Sequence, residues 1–583
     1  MSLLALALLT MTVLAVGYLT YGKFISRQFR LDDRATTPAV ARADGVDFVP
    51  TRPFYLLGQH FSAIAAAGPI LGPILACQSY GWLPCVLWIL IGVVFIGAVH
   101  DFAALIASVR HGAHSVAEIA RANISPKAWA ALVAFIWLAL LYVIVAFTDA
   151  TVATFTNNDP ELAALAGAEF NKGGAVAAAS VMYLILATIM GVVQRHAKWP
   201  MWLLTVVFVP ATLGVVWLGT KVSTILVLPA STWYWIVLGY CLAASMFPLW
   251  LLQQSRGYLG GFVLYLAIGI GVIGLLFGGY KVNQPAIADT VRPDSIIKFF
   301  IGGEGAPPMT AMLFPFLFVT IACGACSGFH GLVCGGTTSR QIEKESHCKP
   351  VAFGAMLLEG FVAIIALSTC MILTKSQMLA PDGKAIPPGT IYGDGIARFM
   401  TLILGENALV FAKTFGAMAV ATFVFDTLDV ATRLGRYLLQ ELFNAKGRIG
   451  GAIAAIATVG VPLGILLTSA PGSYRSYWTL FGTSNQLLAA LTLLGITVWL
   501  KRNGKRCWYT AIPMAFVMTI TVTALIVQIT IGVRALIARS SDATPIINGG
   551  VGIILLGLAA FFVMQSAKAI RLPAPAPTPA PGV

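Results

Sequence analysis

Apolar runs of about 20 residues recur along the whole of this chain, the length at which a helix crosses a hydrocarbon core of about 30 Å. They start at residues 2–22 and continue to 547–567, with short polar connections between them. Of 583 residues, 58% are hydrophobic and only 10% charged, against roughly 25% charged in a soluble domain. The runs leave no room for a separate soluble domain. The expected fold is an all-α polytopic membrane protein, with the lipid bilayer as its first partner.

About fifteen spans can be drawn on this criterion: 2–22, 54–77, 84–108, 128–156, 174–193, 201–220, 233–252, 259–279, 311–337, 351–374, 407–431, 450–469, 478–499, 509–532 and 547–567. Alternate loops (23–53, 109–127, 194–200, 253–258, 338–350, 432–449, 500–508 and the tail) then hold roughly two-thirds of all Lys and Arg, the bias that marks a cytoplasmic face. The opposite loops carry Asp159, Glu161, Asp289, Glu304, Asp382 and Asp394. This places the N-terminus outside and the C-terminus inside. Residues 2–22 lack a basic leader and a small-residue cleavage site, so they read as a retained span. The net charge of +14 is thus a topology signal. A nucleic-acid partner is excluded, because no basic stripe interleaves with aromatics on a polar segment. The cysteines lie mostly inside apolar runs, as reduced buried thiols do.

A weak repeat divides the chain. Phe61-Ser-Ala-Ile64-Ala65 reads like Phe318-Val-Thr-Ile321-Ala322, and Asp149-Ala-Thr151-Val-Ala153-Thr154 resembles Asp429-Val-Ala431-Thr432. An odd number of spans separates the two copies, so they enter the membrane from opposite sides, as the inverted repeats of secondary transporters do. The expected organisation is an extra helix and loop (1–53), a first five-helix repeat (54–220), two connecting helices and a loop (221–310), a second repeat (311–500), two further helices (501–570) and a disordered Pro/Ala tail (571–583).

Each repeat opens on an interrupted helix. Ala67-Gly68-Pro69-Ile70-Leu71-Gly72-Pro73 cannot run as a continuous helix, since proline removes a donor and clashes with the preceding turn. Broken backbone in a membrane must line protein or a watered cavity, and the N-terminus of the second half-helix suits an anion. Its counterpart is Cys323-Gly324-Ala325-Cys326-Ser327-Gly328-Phe329-His330. The expected substrate site therefore comprises His60, Ala67, Gly68, Pro69, Gly72, Pro73, Gly324, Ser327, Gly328 and His330. Cys323, Cys326, His330 and Cys334 also share a helical face, but donors strung along three turns of a straight helix do not converge on one ion, so no metal is expected.

Ionisable residues inside spans are costly and mark pathways or proton relays. His100, Asp101, Asp149, Glu359, Asp426 and Asp429, with Thr427 and Thr432, are the expected proton- or sodium-coupling residues. Four of them have a structural alternative: Asp429 could pair with Arg433, Glu359 could be a packing carboxyl, and His100-Asp101 could be a gate or a solvated pair. Arg433, Asn485 and Gln486 are expected to serve the frame or a gate. No phosphate-binding loop is present, so ATP-driven transport is not expected, nor any cofactor beyond a coupling ion.

These stretches also carry a family resemblance. Gly58-Gln-His60-Phe61, Gly68-Pro69-Ile-Leu-Gly72-Pro73, Gly97-Ala-Val-His100-Asp101-Phe102, Pro248-Leu-Trp250, Ser327-Gly-Phe-His330, Leu358-Glu359-Gly360, Thr427-Leu-Asp429-Val-Ala-Thr432-Arg433 and Gly482-Thr-Ser484-Asn485-Gln486 resemble the carbon starvation protein A family of bacterial inner-membrane transporters. The resemblance implies a broken-helix, five-plus-five (LeuT/APC-like) fold. It also implies uptake of pyruvate with protons, or of peptides during nutrient limitation. The chain departs from the family pattern in having Gln59 where a second histidine is common, and cysteines at 323 and 326. The expected function is proton symport of a small monocarboxylate, most simply pyruvate. The alternatives are a peptide permease, an intramembrane metal-dependent enzyme and a passive channel.

Overall fold

A computed structural model describes residues 1–572, save 46, 66, 167–168, 293, 302–306, 381–382, 384, 446 and 471. Glu304, Asp382 and most of the Pro/Ala tail lie outside the described residues, and so does the side chain of Glu161. The described residues form helices joined by short connections, with only isolated β-bridges.

In chain order the main helices are α1 (Leu3–Phe29), α2 (Pro53–Ile64), α3 (Gly68–Tyr80), α4 (Trp82–Arg110), α5 (Pro126–Phe155), α6 (Lys172–Ala197) and α7 (Met201–Lys221). There follow α8 (Ala230–Met246), α9 (Gln253–Phe277), α10 (Leu313–Thr320), α11 (Gly328–Gly336) and α12 (Glu345–Met371). The last are α13 (Pro388–Leu404), α14 (Glu406–Leu442), α15 (Gly447–Thr468), α16 (Tyr474–Arg502), α17 (Trp508–Ile537) and α18 (Thr544–Ile570).

Among the described residues, twelve helices are long and apolar enough to cross a membrane, and α2 with α3 makes a thirteenth, bent by 47°. The two remaining expected spans are present in shorter form. One is the 17-residue α8; the other is the divided pair α10 and α11, of 8 and 9 residues.

One element differs from the sequence reading. Residues 388–404, expected to be loop, form the 17-residue α13. Its glycines and Asp394 dilute the apolar signal, yet Gly393 packs against Ala417 and Gly416, and Gly395 against Thr369. A Cβ at Gly395 would come within 2.2 Å of the Thr369 side chain. Small residues here let helices approach closely, the usual means of packing in a membrane. α13 doubles back along the start of α14 rather than adding a loop.

α16 is the centre of the molecule, buried along its entire most apolar stretch. α1, α7 and α18 are the least buried of the long apolar helices, and their exposed apolar side chains form part of the rim.

Candidate functional site

The two broken helices lie antiparallel and side by side. Thr51 bridges to Ile342, His60 Nδ1 lies 2.8 Å from Thr338 Oγ1, and Tyr80 Oη donates to the Met309 carbonyl at 3.2 Å. At the crossing the contacts are closest. A Cβ on Gly68 would fall 2.4 Å from Cys323 Sγ, and one on Gly72 would fall 2.6 Å from the Thr320 carbonyl oxygen. Only glycine allows the two backbones to meet there. Across the crossing Gly68 meets Cys323, Gly72 meets Thr320 and Pro69 lies against Gly324; Ala67 immediately precedes α3 and Pro73 lies within it, while Ser327 precedes α11 and Gly328 and His330 belong to its first turn.

Breaking a helix frees backbone groups that lipid cannot satisfy, and neighbouring helices supply the partners. Trp88 Nε1 of α4 donates to the Phe318 and Ile321 carbonyls, each at 3.2 Å. From α16, Trp478 Nε1 donates to the Thr320 carbonyl at 3.0 Å and Gln486 Nε2 to the Phe318 carbonyl at 2.9 Å. Asn485 Oδ1 accepts from the Phe329 amide at 3.0 Å, while its Nδ2 donates to Ser327 Oγ at 3.0 Å and to Cys323 Sγ at 3.3 Å. Asn485 is thus a cap for α11, lent by another helix. One amide of the expected anion cradle is already engaged.

From α11 a line of ionisable groups runs through the interior. Asp101 sits between two histidines: His100 Nδ1 is 2.8 Å from its Oδ1, and His330 Nδ1 is 2.8 Å from its Oδ2. The other nitrogen of His330, Nε2, is at ion-pair distance from Glu359 Oε2, 3.2 Å, without hydrogen-bond alignment. All four side chains are 0–1% exposed. A solvated His100-Asp101 pair is therefore excluded. α4, α11 and α12 each contribute to the line, which ends on His100 Nε2 and the Glu359 carboxylate, atoms without hydrogen-bond partners among the described residues. The four residues of the sequence pattern Cys323, Cys326, His330 and Cys334 do not converge: Cys323 faces Asn485, His330 faces the carboxylates, and Cys334 Sγ lies 3.5 Å from the Asp101 carbonyl.

A second polar cluster flanks the other side of α2. α9 touches α2 where Tyr265 Oη donates to the Gly58 carbonyl at 3.1 Å and where Gly261 meets Ser62. At the start of α9, Arg256 is fully buried. Its Nε and Nη2 both reach Asp426 Oδ1, at 3.0 and 2.7 Å, and its Nη1 reaches Asp429 Oδ2 at 2.5 Å and Tyr240 Oη at 2.8 Å. The Asp429–Arg433 pairing allowed by the sequence is not formed. Arg433 instead donates to the carbonyls of Ala244 and Phe247, because Arg256 arrives from α9 with a better-placed guanidinium. Thr427 and Thr432 donate to carbonyls one turn back in α14.

Asp149 stands apart from both clusters. Its Oδ1 accepts from Tyr234 Oη at 2.5 Å and from the Gly472 amide at 3.3 Å. Asp149 and Asp429, which the sequence comparison set side by side, are each met by a tyrosine of α8. Arg256, Tyr234 and Tyr240 escaped the sequence reading. Arg256 looked like one more basic loop residue, although the small residues Gly257, Gly260 and Gly261 after it hint at close helix packing.

The carbon starvation protein CstA family model matches residues 2–386 and 382–524. A peptide transporter CstA from Bacillus subtilis (strain 168) is 33% identical over 614 residues, covering 97% of this chain and 97% of its own. One from Helicobacter pylori (strain ATCC 700392 / 26695) is 30% identical, covering 87% and 79%. The pyruvate/proton symporter BtsT of Escherichia coli (strain K12) is 31% identical, covering 90% and 81%. Among solved structures, a manganese transporter from Eremococcus coleocola aligns with a TM-score of 0.44 at 13% identity, covering 90% of this chain and 99% of that one, a likeness too distant to carry an argument.

Proposed function

The chain belongs to the carbon starvation protein CstA family and is a multi-pass membrane transporter, and from that premise we propose that it imports a small monocarboxylate, pyruvate foremost, by symport with a proton. The observation that carries this reading is the sealed line His100–Asp101–His330–Glu359 beside the helix crossing. Four ionisable side chains without water access are expensive to keep in a membrane and mark a proton relay by default. His330 is the hinge of that line, since it belongs to the first turn of the second half-helix. A rearrangement of α11 would break or make its contacts to Asp101 and Glu359, which would open or close this path to a passing proton.

The relative named as a pyruvate/proton symporter supports the cargo and the ion. The relatives named as peptide transporters support a peptide cargo instead. In the proposed orientation the basic loops face the cytoplasm of a bacterial inner membrane, with the N-terminus outside. The two repeats would rock against one another, with α2 moving between the two polar clusters.

Uptake of labelled pyruvate into proteoliposomes tests the reading. An imposed pH gradient, alkaline inside, should drive accumulation that a proton ionophore abolishes and a sodium gradient leaves unchanged. Accumulation indifferent to the pH gradient contradicts proton coupling. Full competition by di- or tripeptides at low concentration, with pyruvate itself poorly accumulated, supports the peptide cargo in its place.

A further inference from the structure

Resting on that function, we propose that Arg256 is the receptor for the substrate's carboxylate, and that a proton on Asp426 uncovers it. The geometry begins with an imbalance. One guanidinium serves two carboxylates, and it serves them differently. Asp429 is 3% exposed, is held by Nη1 and also accepts from Tyr240 Oη at 2.9 Å. Asp426 is 30% exposed while Arg256 is 0% exposed, and a single oxygen, Oδ1, occupies the Nε–Nη2 edge. That edge is the one that grips a carboxylate in a fork, with two parallel N–H···O bonds. Asp426 uses it with half its capacity.

The surroundings favour exchange at Asp426. Gly260 makes room for its second oxygen: a Cβ there would fall 2.8 Å from Oδ2. The next residue, Gly261, lies against Ser62 of α2, so α9 touches both Asp426 and the first half of the broken helix. The charged and titratable groups around it are Arg256 on α9, Asp429 and Arg433 on α14, Tyr183 on α6, and Tyr240 and Cys241 on α8. Tyr183 Oη donates to the Arg256 backbone carbonyl at 3.0 Å and so anchors the start of α9.

The charge balance follows. With both aspartates ionised, the cluster of Arg256, Asp426 and Asp429 carries one net negative charge, which excludes a further anion. A proton added to Asp426 removes its charge and weakens its hold on the guanidinium edge. The substrate carboxylate then takes that edge, and the net charge of the cluster returns to its starting value. One proton therefore enters with one monocarboxylate, and a neutral analogue gains nothing.

The test measures pyruvate binding to the purified full-length protein from pH 5.5 to 8.5, with transport in proteoliposomes. In the parent protein, the apparent Kd should rise about tenfold per pH unit once Asp426 ionises, because only the protonated fraction binds. Asp426→Asn imitates the protonated carboxyl. Its Kd should vary less than about twofold across the range, with pyruvate exchange kept and pH-driven accumulation lost. Arg256→Lys keeps the charge without the fork and should weaken binding about tenfold or more at every pH. Asp426→Asn retaining the parent pH slope, or Arg256→Lys binding as the parent does, overturns the proposal. If Asp426→Asn does not fold, as judged by its melting, the Arg256→Lys result decides. A parent protein that accumulates no pyruvate under any pH gradient contradicts instead the underlying function, and the Arg256 receptor with it.

Discussion

Asn485 illustrates what a break in a membrane helix asks of its neighbours. Its amide satisfies the Phe329 N–H and the Ser327 hydroxyl together. Asn485→Ala should leave both without partners, at about 1–3 kcal/mol for a buried unsatisfied group. Thermal unfolding in detergent should show a clear loss of Tm; an unchanged Tm would mean that the cap is dispensable. The residues of the breaks were legible in the sequence because proline and glycine announce broken helices by covalent geometry alone. So were His100, Asp101, His330 and Glu359, because charge within an apolar run stands out. Arg256 was not legible. At the end of a span an arginine in a buried cluster and an arginine in a cytoplasmic loop look alike, and only the fold brings α9 against Asp426 and Asp429.

At the scale of elements, the helices with long apolar runs were readable and α13 was not. Its stability comes from contacts with α12 and α14 rather than from its own hydrophobicity. Charge also fastens it. Asp394 of α13 lies 2.6 Å from Lys172 Nζ of α6, and Asp159, in the connection after α5, lies 3.3 Å from the same nitrogen and 2.9 Å from Lys413 Nζ of α14. Burial alone would raise the Asp159 carboxyl, but the two lysines outweigh it and hold it at about 2, below its ordinary 3.8. A carboxylate depressed in the folded state stabilises above its unfolded value, and that contribution disappears as the pH falls through the folded one. Asp159→Asn should therefore lower Tm at pH 5, with the difference from the parent shrinking as the pH is taken from about 4 towards 2. A gap that stays constant or widens on acidification would show that the lysines do not govern Asp159.

For the whole molecule, the distribution of basic loops and the paired helix breaks led to one arrangement: two interrupted helices crossing antiparallel inside a bundle of apolar helices. The crossing is present at Gly68–Cys323 and Gly72–Thr320. What the sequence could not supply is the partition of the interior into two polar clusters on either side of α2, since that depends on how distant helices pack. The orientation has its own check. A reporter fused after α18 should be active only in the cytoplasm, as the basic loops require; an external signal would invert the assignment. The most direct test of the account runs the symport backwards from cause to effect. Pyruvate added outside proteoliposomes with no initial pH gradient should acidify the interior, one proton for each pyruvate that enters, as linkage between the two ligands demands. The account predicts internal acidification that depends on the protein and is strongly reduced in Arg256→Lys at pyruvate concentrations that do not saturate the variant. Pyruvate entry without protein-dependent acidification would contradict it.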